Sequence, residues 1–231
     1  MTNGPLVAVS DAWGEAHPDA RVGFLAIGGV ANPAGHPAID RIKAELQSEL
    51  RERYSALDRA ALREIDPLPA YAAYYKRFGQ RYHVGMQLES VAQKGKDLPD
   101  VAALVEGMFV AELRNLILTA GHDLAEVALP LRLDVGDEGE PVAFAAPNGK
   151  ELRVKPGDMY VADANGVLSA IITGPAAAAR IGPGTTSVVF VAYAPPGVSE
   201  ERLGAHLDEL EATTRLISPG AEVVRREIIR G

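Results

Sequence analysis

Residues 101–118 constrain this chain more than any other segment. Val101, Leu104, Val105, Met108, Phe109, Leu113, Leu116 and Ile117 recur at helical spacing but cover more than one face. A surface helix needs a single apolar stripe, whereas a helix that is apolar on several sides must be covered by other elements. The spacing predicts a long central helix over 101–118.

The covering elements are of two kinds. Residues 6–9 and 22–27 read as short strands, separated by a polar loop with Asp11, Trp13, His17 and Pro18. From Ala38, Ile39, Ile42, Leu46, Leu50, Tyr54 and Leu57 mark an amphipathic helix, with Pro37 suited to its first turn. A second helix is predicted over 68–78, carrying Tyr71, Tyr74 and Tyr75 and ending at Gly79, and a short one over 87–93. After Ala128 the period changes. Residues 129–133, 141–145, 158–162, 167–172 and 187–193 are short, rich in Val, Ile and Tyr, and bounded by Gly, Pro, Asn or Asp. Residues 199–217 form a last amphipathic helix, with Ser199 as N-cap and Glu200 and Glu201 in its first turn. No repeat, low-complexity run or long linker divides the chain. The expected class is α+β, with a central, mostly antiparallel or mixed sheet flanked by helices, in a single domain over 1–231.

Composition excludes some chemistry. A chain of 231 residues without cysteine has no disulfide, thiolate metal site or cysteine nucleophile. Its five histidines are scattered, so no metal site and no cofactor are expected. The first ten residues lack a basic, apolar leader pattern, and no stretch approaches the ~20 apolar residues of a membrane span. The expectation is a cytoplasmic protein without a membrane partner. With 31 Asp and Glu against 23 Lys and Arg, the net charge is -8, which disfavours indiscriminate binding to DNA or RNA.

Three stretches bear on function. Gly28-Gly29 with Asn32-Pro33 before a helix has the outline of a phosphate loop but neither known spacing, so it reads as a strand-to-helix turn. Between Lys76 and Asp97 the cations Lys76, Arg77, Arg81, Lys94 and Lys96 face only two acids, giving a local charge of +3 beside Tyr71, Tyr74, Tyr75, Phe78 and Tyr82. Such interleaving suits an RNA backbone with stacked bases; the alternative is a solvated face over a tyrosine-rich helix contact. Glu106 stands within the apolar helix, and His122-Asp123 follows it. Glu106 needs a partner or a polar pocket. His122-Asp123 reads either as a general base with its orienter or as a capped turn.

The order Tyr75-Lys76, Ser90-Val91, Lys94-Gly95-Lys96, Leu98-Pro99, Val105-Glu106, His122-Asp123-Leu124, Pro156-Gly157-Asp158 and Asp163 to Gly166-Val167 resembles the B3/B4 domain. That domain is the tRNA-binding and editing module of the phenylalanyl-tRNA synthetase beta chain, and it also occurs as a free-standing protein. The resemblance runs over about residues 7–194. It implies an α+β fold with a pocket between the long helix and the sheet, and hydrolysis of an aminoacyl-tRNA ester by an oriented water and the substrate's own hydroxyl. Aligned on Asp123, the family's pocket histidine falls on Ala120 and its asparagine on Phe109; its glutamate falls within residues 176–181, which hold no carboxylate.

Two functions therefore stand side by side. One is a tRNA- or aminoacyl-tRNA-binding module that deacylates mischarged tRNA in trans, with Arg77, Arg81, Lys94 and Lys96 on the RNA. The other is a non-catalytic binder of an amino acid or similar metabolite, or an interaction domain with a vestigial pocket. In both, the expected pocket is lined by Phe109, Ala120, His122 and Thr173 with Glu106 and Asp123 near its floor, and is drier than an editing site.

Overall fold

A computed structural model of the chain describes residues 4–231, so Met1, Thr2 and Asn3 of the amino-terminal reading lie outside it. In chain order the elements are β1 (Val7–Val9), α1 (Asp11–Ala16), β2 (Arg21–Gly28), α2 (Pro37–Tyr54), α3 (Arg59–Arg63), α4 (Leu68–Lys76), α5 (His83–Ala92) and α6 (Ala103–Asn115). There follow β3 (Leu118–Asp123), a 3-10 turn (Leu124–Glu126), β4 (Leu131–Val135), β5 (Ala143–Ala145), β6 (Glu151–Arg153), β7 (Met159–Asp163), β8 (Gly166–Ala170), β9 (Gly174–Pro175), β10 (Ser187–Ala194), α7 (Glu200–Ile217) and β11 (Glu222–Arg230).

The α+β class holds, but the single expected sheet is two sheets and a ribbon. One sheet has the order β11-β2-β10-β3 and is antiparallel throughout. The other has the order β1-β4-β7-β8-β9 and is parallel only where β1 meets β4. Strands β5 and β6 pair separately. The central strands β2 and β10 are buried almost throughout, as continuous apolar runs are when both faces of a sheet are covered. Helix α7 covers one face: a side chain at Gly23 would press on Leu203 and Leu207. In β7 the alternation is plain. Met159 and Val161 join the main core, while Tyr160 and Ala162 join a smaller cluster with Phe144 and Val154 on the far side.

Helix α6 is central, as its composition requires, with nine of its thirteen residues buried. It is shorter than 101–118. Leu116 takes a left-handed conformation, φ 58°, and ends the helix; its side chain, 4% exposed, is held there by the core. The next residues reverse into β3, a strand hidden within the predicted helix and turn. Strand β11 shows no clean alternation, because its four β-branched residues stand in two adjacent pairs, Val223-Val224 and Ile228-Ile229.

The tyrosine-rich segment is core, not surface. Tyr71 and Tyr82 stack at 4.0 Å, and every hydroxyl in the group is spent on the protein. Tyr71 donates to Tyr193 O (2.5 Å), Tyr74 to Asp158 Oδ1 (2.8 Å), Tyr75 to Ile171 O (3.1 Å) and Tyr82 to Leu116 O (3.1 Å). Buried phenols need such partners.

Two truncations on α6 test this packing. Leu104, 1% exposed, sits in the core, so Leu104→Ala is expected to cost about 2–5 kcal/mol in denaturant unfolding. Met108 borders a cavity that already exists, so Met108→Ala should cost less than Leu104→Ala.

Candidate functional site

Helix α6 presents three faces. Val105, Met108, Phe109 and Glu112, spaced i, i+3, i+4 and i+7, line a cavity of about 470 Å³. Glu106, about a third of a turn further round, faces α2, and Gly107 lies against Thr213 of α7. The opposite wall of the cavity comes from β3 and β8, and Ile181 and Arg180 close it on the side of the loop before β10.

Three of the expected residues, Phe109, Ala120 and His122, line this cavity, and three do not. Glu106 is buried on the α2 side, where its Oε2 meets Lys43 Nζ at 2.8 Å and its Oε1 accepts from Val101 N at 2.7 Å. Lys43 also binds Asp100 at 2.6 Å. Burial works against the ammonium, but the two carboxylates outweigh it and raise the pKa of Lys43. Glu106 is thus half of a structural ion pair, the partnered alternative that its place in an apolar helix allows. Asp123 points away from His122, because neighbours in a strand face opposite sides. Its carboxylate caps Ala125 N (3.1 Å) and accepts from Thr185 Oγ1 (2.6 Å), which ties down the loop before β10. The capped turn is what forms, and the base-with-orienter pair does not. Thr173 lies just beyond β8 with its hydroxyl buried and unpartnered, outside the cavity lining.

His122 makes a different contact. Its Nε2 is 3.1 Å from Ser169 Oγ, which is 2.8 Å from the hydroxyl of Tyr193; Tyr193 in turn donates to Ser169 O at 3.0 Å. All three residues line the cavity. Burial lowers the His122 imidazole to about 4, so it is neutral at physiological pH. A serine beside a neutral histidine with no carboxylate behind it lacks the third group of a nucleophilic triad. The arrangement is a hydrogen-bond relay in the wall.

Beyond His122, the polar groups of the cavity are not the expected ones. Apolar Ala120 and Phe109 do stand in the wall, but polar groups enter from other positions: His83, Gln87, Glu112, Thr119, Ser169, Arg180 and Tyr193. Glu112 is 5% exposed, and its Oε1 accepts from Thr119 N at 2.9 Å. Burial raises its carboxyl to about 8. Its position one turn beyond Met108 and Phe109 carries the signal that sequence reasoning passed over, since i, i+3 and i+4 from a pocket residue share its face.

The four expected RNA contacts are dispersed in role. Arg77 lies over the rings of Tyr74 and Phe78, at 5.4 and 5.6 Å. Lys94 pairs with Glu89 at 2.9 Å, and Glu89 also holds Arg59 at 2.6 Å. Lys96 is exposed in the loop after α5. Arg81 alone of the four lines a second cavity of about 300 Å³, with Arg59, Arg63 and Lys76 around Leu62, Leu68, Tyr82 and Met86. With their hydroxyls spent and their rings buried, Tyr71, Tyr74, Tyr75 and Tyr82 offer no stacking platform for bases. Among the described residues no helix is long and apolar enough to cross a membrane, and no three His, Asp or Glu cluster as metal ligands.

Two outcomes follow from these environments. Lys43→Met strands a buried carboxylate and should cost about 3–5 kcal/mol in denaturant unfolding, with the cavity wall left in place. The second concerns pH. Glu112 and Asp158, raised by burial to about 8 and about 7, hold protons in the folded state that the unfolded chain releases above about pH 4. Their stabilisation is full below that pH and is lost as pH rises through the folded values. The buried His17, His122 and His206, lowered by burial to about 4, 4 and 3, act in the opposite sense and only below their ordinary value near 6.5. The melting temperature should therefore fall between about pH 6.5 and 8, and Glu112→Gln should flatten the upper part of that fall.

No protein family matches the chain by its sequence, and no curated protein matches it. Among solved structures it is similar to an N-terminal fragment of the phenylalanyl-tRNA synthetase beta-subunit from Pyrococcus horikoshii, at 11% identity and a TM-score of 0.48. The match covers 97% of this chain and 54% of that one, so the chain spans about half the length of the fragment.

Proposed function

We propose that this chain is a binding module for a small, amino-acid-like molecule, free or carried as an ester on tRNA, and that the cavity between α6, β3 and β8 receives the amino-acid part. The cavity itself carries the reading: about 470 Å³, walled by Val105, Met108, Phe109, Ile171 and Ile181, and interrupted by a few convergent polar groups, Glu112, His122, Ser169 and Tyr193. That combination is how small-molecule sites are built. On this reading residues 1–231 act as one domain, in the cytoplasm and without a cofactor.

The tRNA-linked form draws support from the motif order that resembles the editing domain and from the exposed cations Arg81, Lys76, Arg63 and Arg59 about the second cavity. Phosphate contacts are open to those side chains, whereas base stacking on the buried tyrosines is not. Deacylation on this form relies on an oriented water and the terminal ribose hydroxyl, since His122, lowered to about 4, is a weak base and Asp123 is turned away from it.

A panel of the twenty amino acids, read by thermal shift and calorimetry, tests the common core; deacylation of a panel of mischarged tRNAs separates the two forms. At least one hydrophobic amino acid should bind, adding about 2.7 kcal/mol of stability at a hundredfold excess over Kd. Ester cleavage faster than the buffer rate selects the tRNA-linked form, and binding without cleavage selects the plain binder. Absence of both binding and cleavage across the two panels would overturn the proposal.

A further inference from the structure

Glu112 is the one carboxyl group in the lining of the large cavity. One of its oxygens is fixed by Thr119 N. No protein donor reaches the other, although the residue is 95% buried and lines the cavity. The elements packed around it bring no positive charge to it. From β3 comes the Thr119 amide, and from α7 comes His206, whose Nε2 meets Thr119 Oγ1 at 2.6 Å and which burial keeps neutral, at about 3. From α4, and from the turn before α5, come the hydroxyls of Tyr71, Tyr75 and Tyr82, all raised by burial and so uncharged. Arg202 of α7 is engaged by Asp66 at 2.7 Å and by Asn115 O. His83 stands exposed at the cavity mouth, and His122, on the β3 wall, is neutral. The only cation in the lining is Arg180, which is exposed at the rim. The buried part of the cavity therefore has an acid waiting for a partner and nothing comparable for an anion.

We propose that Glu112 selects ligands that bring a primary amine into the cavity, and that the ligand's own carboxyl group is not needed for binding. This rests on the small-molecule reading above and names the handle by which such a ligand is held. The step balances simply. Glu112 enters as the carboxylic acid, and the ligand arrives as the ammonium. On binding, the carboxyl proton leaves to solvent and an N–H donor of the ammonium takes its place on the free oxygen, giving a charge-assisted hydrogen bond in a dry site. An amino-acid ester keeps the ammonium and lacks the carboxylate, so the same site takes the free amino acid and its ester alike. A deaminated acid can only accept the O–H of the neutral Glu112, with no buried cation in the lining to offset the burial of its charge, and binds more weakly.

Calorimetry in two buffers of different ionisation enthalpy tests this with four probes: L-phenylalanine, its methyl ester, 2-phenylethylamine and 3-phenylpropanoate. The three amines should bind within a few-fold of one another and the propanoate at least tenfold more weakly. Phenylalanine and 2-phenylethylamine, which arrive as ammonium ions, should each release close to 0.9 proton at pH 7, as a carboxyl at about 8 requires, and the ester, whose weaker amine is partly neutral at that pH, should release less. Glu112→Gln keeps the acceptor for Thr119 N and removes the group's pH-linked loss of stability, so the variant should melt no lower than the parent at pH 7 while amine affinity falls at least tenfold and proton release vanishes. Propanoate binding as tight as that of the amines, or amine binding without proton release, would overturn the role of Glu112 and leave the small-molecule reading standing. Failure of all four probes together with every amino acid of the panel would overturn both.

Discussion

The reversal from α6 into β3 is the constraint on which the rest depends. A chain that turns inside a core leaves amide and carbonyl groups with no water to bind, and each costs free energy unless a side chain reaches it. Here Tyr82 donates to Leu116 O, Tyr71 accepts from Leu118 N while donating to Tyr193 O, and Glu112 accepts from Thr119 N. Arg202 reaches Asn115 O from α7. These contacts join α4, α6, α7, β3 and β10 at one place, and they also fix the angle at which α6 leaves the sheet. The cavity is the space that this angle leaves open between the helix and the strands.

The same reversal marks the limit of what the sequence discloses. The helices of residues 38–57, 68–78 and 199–217 are legible because each carries its own stripe or cap; Ser199, for instance, caps α7 through Arg202 N at 3.2 Å. Seven of the strands, β1, β2, β4, β5, β7, β8 and β10, are legible as short apolar runs between turn residues. Strand β3 is not, since Leu116, Ile117 and Leu118 continue the helical spacing and nothing local announces a left-handed leucine. The tyrosines are conspicuous in the sequence, yet their role as buried hydrogen-bond donors depends on residues 34 to 122 positions away. Composition alone made them equally suited to stacking on RNA.

The site shows a related pattern. Ala120, Phe109 and His122 fall where the resemblance puts a pocket, and the cavity is there. Its polarity is not where the resemblance puts it. The polar groups come from elsewhere: Glu112 from the helix and the Ser169 and Tyr193 hydroxyls from β8 and β10. Glu106, the acid that sequence reasoning singled out, is spent on Lys43, and the acid it passed over lines the cavity. Both sit on one helix, six residues apart, and only the neighbours of each face decide which is structural.

The central claim is that the space between α6 and β3 is the place of binding, and filling that space tests it most directly. Ala120 projects from β3 into the cavity, so Ala120→Leu adds methyl groups to existing empty volume rather than to packed core. The account predicts that unfolding free energy stays within about 1 kcal/mol of the parent while affinity for the amino acid that the chain binds falls at least tenfold. Undiminished affinity in a folded Ala120→Leu protein would contradict it and move the site elsewhere on the molecule.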